Sequence, residues 1–246
     1  MIAEFFRWVY ESLGWNFSPF YDPYDGSRLL EGLWTTIELS LICLVLSLII
    51  GVVGAWLQGA QSRLVRALVQ GYVQFFRNTP PLVQLFFFYF AIGNLIPQVP
   101  NGSGGTAPLI DNFGWAVVSF SCFAGAFNVE IFRAGIQAVP RPMVEAAEAL
   151  GYTRLGIFRH VVMPLAFRVS LPALNNNLVN LVKTTTLAYA IAVPELLYAA
   201  AQIWSEVFNV REMMNVLLVI YVLLVGALVW VMHRWERALR IPGYSL

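Results

Sequence analysis

LWTTIELSLICLVLSLIIGVVGAWL, Leu33 to Leu57, carries a single charged residue, Glu38. Everything else in it is apolar, small or hydroxylated. A helix needs roughly 20 mainly apolar residues to cross the hydrocarbon core of a bilayer, and this run is long enough. Four more runs come after it: Pro80–Ile96, which is shorter, then Trp115–Gln137, Leu171–Val193 and Met213–His233. The 246 residues are 59% hydrophobic and 12% charged, whereas a soluble domain carries about 25% charged residues. The 18 Phe and 8 Trp exceed what a single buried core can use. The expected fold class is all-α, a polytopic transmembrane helix bundle of about five spans.

On this reading residues 1–32 form an external or interfacial tail, 33–238 the transmembrane domain, and 239–246 a cytoplasmic tail. The Trp, Phe and Tyr of the first segment suit a membrane surface, because such rings prefer the headgroup level. A net charge of +1 leaves no basic footprint for nucleic acid. Cys43 and Cys122 both sit in apolar runs, where packing is the simple reading. No metal-ligand spacing is present, so no metal site is expected.

Between the first two runs, Leu64, Val65, Leu68, Val69, Tyr72, Val73 and Phe76 recur at helical spacing, with Arg63, Arg66, Gln70 and Gln74 opposite. This amphipathic helix would lie on the membrane surface or tilt into the bundle before Arg77. Thr79 would then cap the second span, with Pro80 in its first turn.

Basic residues decide orientation. With the N-terminus outside, Arg63, Arg66, Arg77, Arg141, Arg154, Arg159, Arg168, Arg234, Arg237 and Arg240 fall inside, against only Arg7, Arg28 and Arg211 outside. The C-terminus is then cytoplasmic. So is the stretch VEAAEALGYTRLGIFRHVVMP, Val144 to Pro164, within a loop spanning 139–168. Its first part, Pro142–Leu150, favours a short helix. Gly151 can take the left-handed conformation that ends one, and Thr153 can cap a second short helix to about Val162, stopped by Pro164. Two small helices at a glycine elbow cannot fold alone. They make a knob suited to a partner's groove.

That stretch resembles the EAA loop of ATP-binding-cassette importer permeases. Glu145-Ala146-Ala147, Gly151, Val161, Met163 and Pro164 fit its spacing without a gap. More of the chain, from about Thr35 to Glu236, resembles the polar amino acid branch, the histidine/glutamine-type permeases. Arg77, Thr79 and Pro80 carry this in one segment, Glu130, Arg133, Gly135 and Val139 in a second, and Pro172, Asn175, Lys183, Thr184 and Leu187 in a third. The chain departs from the branch in three places. Pro142-Met143 replaces its usual Gly-Gln, Leu165 its Gln after the loop proline, and Thr184-Thr185-Thr186 its Asp-Thr-Ser.

The resemblance implies a type I importer-like bundle and a transport role in the bacterial inner membrane. A cytoplasmic ATPase dimer, binding ATP and magnesium, would drive it. A second permease subunit, either this chain again or a homologue, would complete the path, and a periplasmic binding protein would deliver a polar amino acid or opine-like solute. With no GxxxxGK[ST] phosphate loop in the chain, it is expected to be no enzyme by itself and to hold no cofactor. Glu145, Ala146, Ala147, Gly151, Arg154, Arg159 and Pro164 are the expected ATPase-coupling residues.

The polar groups of the spans are the candidates for the path: Asn176, Asn180, Lys183, Thr184, Glu130, Arg133 and Arg77. Asn176, Asn180, Lys183 and Thr184 share one helical face by spacing. Lys183, the only lysine, falls near mid-depth, where an ionisable group is either functional or ion-paired to another span. Glu130 and Arg133, three apart, can pair within their helix. Two other readings stay open: an importer of another small solute, or an ion-coupled secondary transporter. The second must explain the cytoplasmic knob and the lack of an evident internal repeat.

Overall fold

The computed structural model describes residues 1–100 and 105–239. Arg240 and the rest of the expected C-terminal tail lie outside the described residues. An amphipathic helix, α1 (Ile2–Leu13), is followed by α2 (Pro23–Gln58) and α3 (Arg63–Asn78). Then come α4 (Pro81–Phe86), a short hairpin of β1 (Gln98–Pro100) and β2 (Thr106–Pro108), α5 (Asn112–Gln137), α6 (Arg141–Ala149), α7 (Arg154–Ile157), α8 (Met163–Thr184), α9 (Leu196–Val207) and α10 (Val210–Leu239).

Four helical runs among the described residues are long and apolar enough to cross a membrane: Pro23–Gln58, Asn112–Gln137, Arg154–Ile191 and Val210–Ala238. Each contains one of the expected spans or nearly all of it. The fifth, expected over Pro80–Ile96, is Pro81–Leu95, shorter than a straight crossing needs. It passes from α4 into a π-helical turn at Phe87–Ile92 and a 3-10 turn at Gly93–Leu95. Thr79 closes α3 here. Its backbone is extended, as a residue before proline prefers, and its hydroxyl donates to the Phe75 carbonyl at 2.7 Å.

The α2 helix starts ten residues before its apolar run. Pro23 suits a first helical position, and the Asp22 carboxylate accepts the Tyr24 N–H at 2.8 Å. Pro164, expected to stop a helix, does not. Residues Phe158–Val162 form a π-turn, in which the Met163 N–H reaches back five residues to the Phe158 carbonyl. Widening the turn there relieves the clash that a proline ring makes with the carbonyl four residues earlier. The helix therefore runs on from Arg154 into the membrane segment.

The chain forms two compact units. The first holds Met1–Ile42, Leu82–Ser119 and Val182–Gly226. Its core gathers Leu29, Leu196, Ala200, Ile203, Met213, Val216 and Leu217. Buried Glu195 starts α9 by accepting the Leu197 and Tyr198 N–H groups at 3.0 and 2.9 Å, while the Tyr221 hydroxyl donates to it at 3.1 Å. The Thr36 hydroxyl of α2 accepts the Leu196 N–H at 2.9 Å. Each of these bonds satisfies a backbone or carboxylate group that burial would otherwise leave unpaired.

The second unit holds Cys43–Pro81, Phe120–Leu181 and the chain from Ala227 on. Here α2 lies against α5 at glycines. A Cβ on Gly51 would stand 2.4 Å from the Asn128 Cβ and 3.2 Å from its backbone carbon. Close approach of this kind is how small residues let membrane helices pack without a hydrophobic drive between them. Gly51→Ala is expected to destabilise the fold by about 1–3 kcal/mol through overpacking. Thermal unfolding in detergent should show a lowered midpoint, and an unchanged one would contradict this packing.

Candidate functional site

The turn between α6 and α8 is built by its caps. Gly151 is left-handed, with φ +81. The Tyr152 N–H reaches the Ala147 carbonyl at 3.2 Å and the Gly151 N–H reaches that of Glu148 at 2.9 Å. These are the paired bonds of a Schellman motif. The Thr153 hydroxyl then accepts the Gly156 N–H at 3.2 Å and starts α7. Ala147 and Ile157 turn inward, while Glu145, Ala146, Arg154, Arg159 and Pro164 are exposed. Leu150 and Leu155 stand out 78% and 76% exposed, with Tyr152 beside them. An apolar tip of this kind on a charged turn is unusual for a surface that meets only water.

Deeper in the same unit, Glu130 of α5 meets two guanidiniums and an amide, drawn from α5, α3 and α2. The Arg133 Nη2 donates to it at 2.5 Å and its Nε at 3.3 Å. The Arg77 Nη1 of α3 lies 3.8 Å away, its guanidinium over the Phe127 ring. The Gln58 amide of α2 adds a contact at 3.5 Å. The intrahelical pair expected at 130 and 133 is present, and Arg77, 53 positions upstream of Glu130, joins it. One carboxylate thus fastens α2, α3 and α5.

The asparagines of α8 divide by direction. Asn177 turns toward α5, donating to the Asn128 Oδ1 at 2.8 Å and the Ala124 carbonyl at 3.0 Å. Asn128 in turn donates to the Ser47 hydroxyl of α2 at 3.2 Å. Asn176 and Asn180 are exposed. The Asn175 amide nitrogen is buried, with no partner among the described residues. Lys183 is exposed in the last turn of α8, and Thr184 beside it is half-buried. Among the described residues no carboxylate makes an ion pair with Lys183. The alternative of an ion pair to another span has no support among the described residues.

Sequence reasoning passed over three groups that matter here. Asn128 was readable as a lone amide inside an apolar span. Glu195 follows Pro194 and precedes Leu196-Leu197, a helix-start pattern. Gln58 carried no local signal, since its partners are distant in sequence.

A series of helices long and apolar enough to cross a membrane, a capped and protruding turn, and polar side chains at a few positions of the spans together fit a membrane transport component. The family described as "Binding-protein-dependent transport system inner membrane component" matches residues 47–241. The chain is 30% identical over 241 residues to the glutamate/aspartate import permease protein GltJ of Escherichia coli K12, covering 94% of this chain and 98% of that one. It is 32% identical over 211 residues to the nopaline transport system permease protein NocM of Agrobacterium fabrum, covering 85% and 87%. A crystal structure of an amino acid ABC transporter with histidines superposes with a TM-score of 0.76 at 26% identity, over 87% of this chain and 94% of that one. The chain belongs to the family of binding-protein-dependent transport system inner membrane components. It is a multi-pass inner-membrane permease with the type I importer fold.

The Glu130 fastening has a measurable consequence. Glu130→Ala leaves two guanidiniums, 39% and 40% exposed, without their carboxylate and should destabilise the protein by about 1 kcal/mol, since water replaces part of what is lost. Adding Arg77→Gln should recover part of that loss in a double-mutant cycle. Strict additivity of the two substitutions would show that the residues do not interact.

Proposed function

We propose that this chain is the permease subunit of an ATP-driven importer for a polar amino acid or an opine-like derivative. The observation that carries the reading is the capped turn at Gly151, with its exposed Leu150 and Leu155, joined without a break to a membrane helix. Relatives whose names specify glutamate/aspartate and nopaline import support the solute class. The partners are an ATPase dimer binding ATP and magnesium, a second permease subunit and an external binding protein. The apolar tip supplies what an ATPase groove would bury, and Glu145, Arg154 and Arg159 surround it with charge.

Orientation follows the arginines. Arg63, Arg66, Arg77, Arg141, Arg154, Arg159, Arg168, Arg234 and Arg237 all belong to the second unit, and Arg7, Arg28 and Arg211 to the first. This supports a cytoplasmic turn and an external N-terminus. Motion of the turn passes along α7 and α8 as one helical run. Asn176, Asn180, Lys183 and Thr184 face the path. Asn176, Asn180 and Lys183 are exposed in the lone chain, where solute or the second subunit can reach them. The Lys183 ammonium would attract the solute's carboxylate. Glu130, paired with both Arg133 and Arg77, serves to hold helices together.

Liposomes carrying the complete complex give the test. ATP-dependent uptake should fall more than tenfold in Glu145→Arg and in Gly151→Trp, where any side chain is strained by the left-handed backbone. Lys183→Met should lose uptake while the complex stays assembled. Uptake that proceeds without ATP, or that ignores the turn variants, would overturn the reading in favour of an ion-coupled transporter.

A further inference from the structure

A cavity of about 1010 Å³ opens in the second unit where α2 ends and α3 begins. It is as large as sites that hold a drug-sized ligand. None of the coupling or path residues assigned above needs it, apart from Arg133 at its edge. Its lining is mostly apolar and includes Trp56 and Phe158, with the Gln58, Gln70 and Gln137 amides and two guanidiniums, Arg66 and Arg133, as its polar part.

The charge there is positive and incompletely answered. Arg66 uses its Nη1 on the Ala60 and Gln61 carbonyls, at 2.7 and 3.2 Å, and makes no ion pair among the described residues. Its remaining donors are free for another acceptor. Arg133 shares Glu130 with Arg77, so that trio carries one positive charge in excess. Trp56, 68% exposed in the last turns of a membrane span, marks the depth of a headgroup region. An apolar chamber at that depth, with unanswered arginine at its rim, has the chemistry of a site for an amphiphile with an anionic head.

We infer that this cavity binds an anionic phospholipid of the cytoplasmic leaflet, its phosphate at Arg66 and its glycerol and upper acyl chain against Trp56 and Phe158. The leaflet rests on the proposed orientation, but the binding chemistry does not. Basic pockets between membrane helices bind such headgroups, at roughly fivefold in affinity for each arginine near the surface. Phe158 begins the π-turn below the coupling turn, so an occupied cavity bears directly on that helix.

The complex, in nanodiscs of phosphatidylcholine doped with phosphatidylglycerol, is extracted and the phosphatidylglycerol retained per complex is measured by mass spectrometry. Wild type should retain it, Arg66→Gln should retain about fivefold less, and Arg66→Lys should stay near wild type because the charge is kept. Ala67→Trp, which fills the lining without changing charge, should exclude it. If Arg66→Gln does not assemble, the lysine and tryptophan variants still decide between a charged lipid site and a structural arginine. Equal retention in wild type and in Ala67→Trp would overturn the inference. So would displacement of the lipid by millimolar inorganic phosphate, which would point to a soluble anion instead. The readout needs no transport. Failed ATP-dependent uptake with intact lipid discrimination would sink the importer reading alone, and the reverse would sink the lipid site alone.

Discussion

Within a bilayer every backbone N–H and C=O must find its partner inside the protein, because no water is there to replace it. That constraint governs the most consequential feature of this chain, the uninterrupted run from Arg154 to Ile191. Two prolines, Pro164 and Pro172, lie in it, and either could have ended a helix in water. At Pro164 the backbone widens into a π-turn, so the missing N–H and the bulky ring are both absorbed. The loop read as two separate pieces thereby becomes the end of a membrane helix.

Continuity suits this helix to the transmitting role of the proposed function. A helix rises about 1.5 Å per residue, so Thr153 and Asn180 are roughly 40 Å apart along one continuous helical run. Asn177 ties that run to α5 and, through Asn128, to Ser47 of α2. Glu130 ties α5 to α3 through Arg77. Polar bonds of this kind suit a membrane interior, where apolar packing alone gives helices little reason to choose one neighbour over another. Under the proposed function, these bonds would share a displacement of the turn among the helices of the second unit.

The sequence made some of this plain and hid the rest for definable reasons. Local patterns were legible: the apolar runs, the left-handed Gly151, the cap at Thr153. Each depends on residues close together in the chain. Hydropathy could not see the first turns of α2, because Asp25, Arg28 and Glu31 there are polar; Arg28 is answered by Glu206 at 2.8 Å, far away in sequence. Nor could it separate Asn177, which bonds to α5, from Asn176, which is exposed; the neighbours differ by about 100° around a helix, and only the packed structure says which way α5 lies. The π-turn has no composition of its own. It arises where Pro164 meets a helix that continues past it, from Arg154 into the apolar run.

The most direct test is the ratio of solute imported to ATP hydrolysed by the reconstituted complex when Val161 and Val162 are both changed to glycine. Two glycines loosen the π-turn by about 0.5–1 kcal/mol in helix propensity relative to valine and leave the turn at Gly151 and the asparagines of α8 untouched. With a continuous helix as the transmitting element, hydrolysis should persist while import per ATP falls at least severalfold. Import and hydrolysis that remain coupled at the wild-type ratio would contradict it, and would mean that the motion reaches the path by another route.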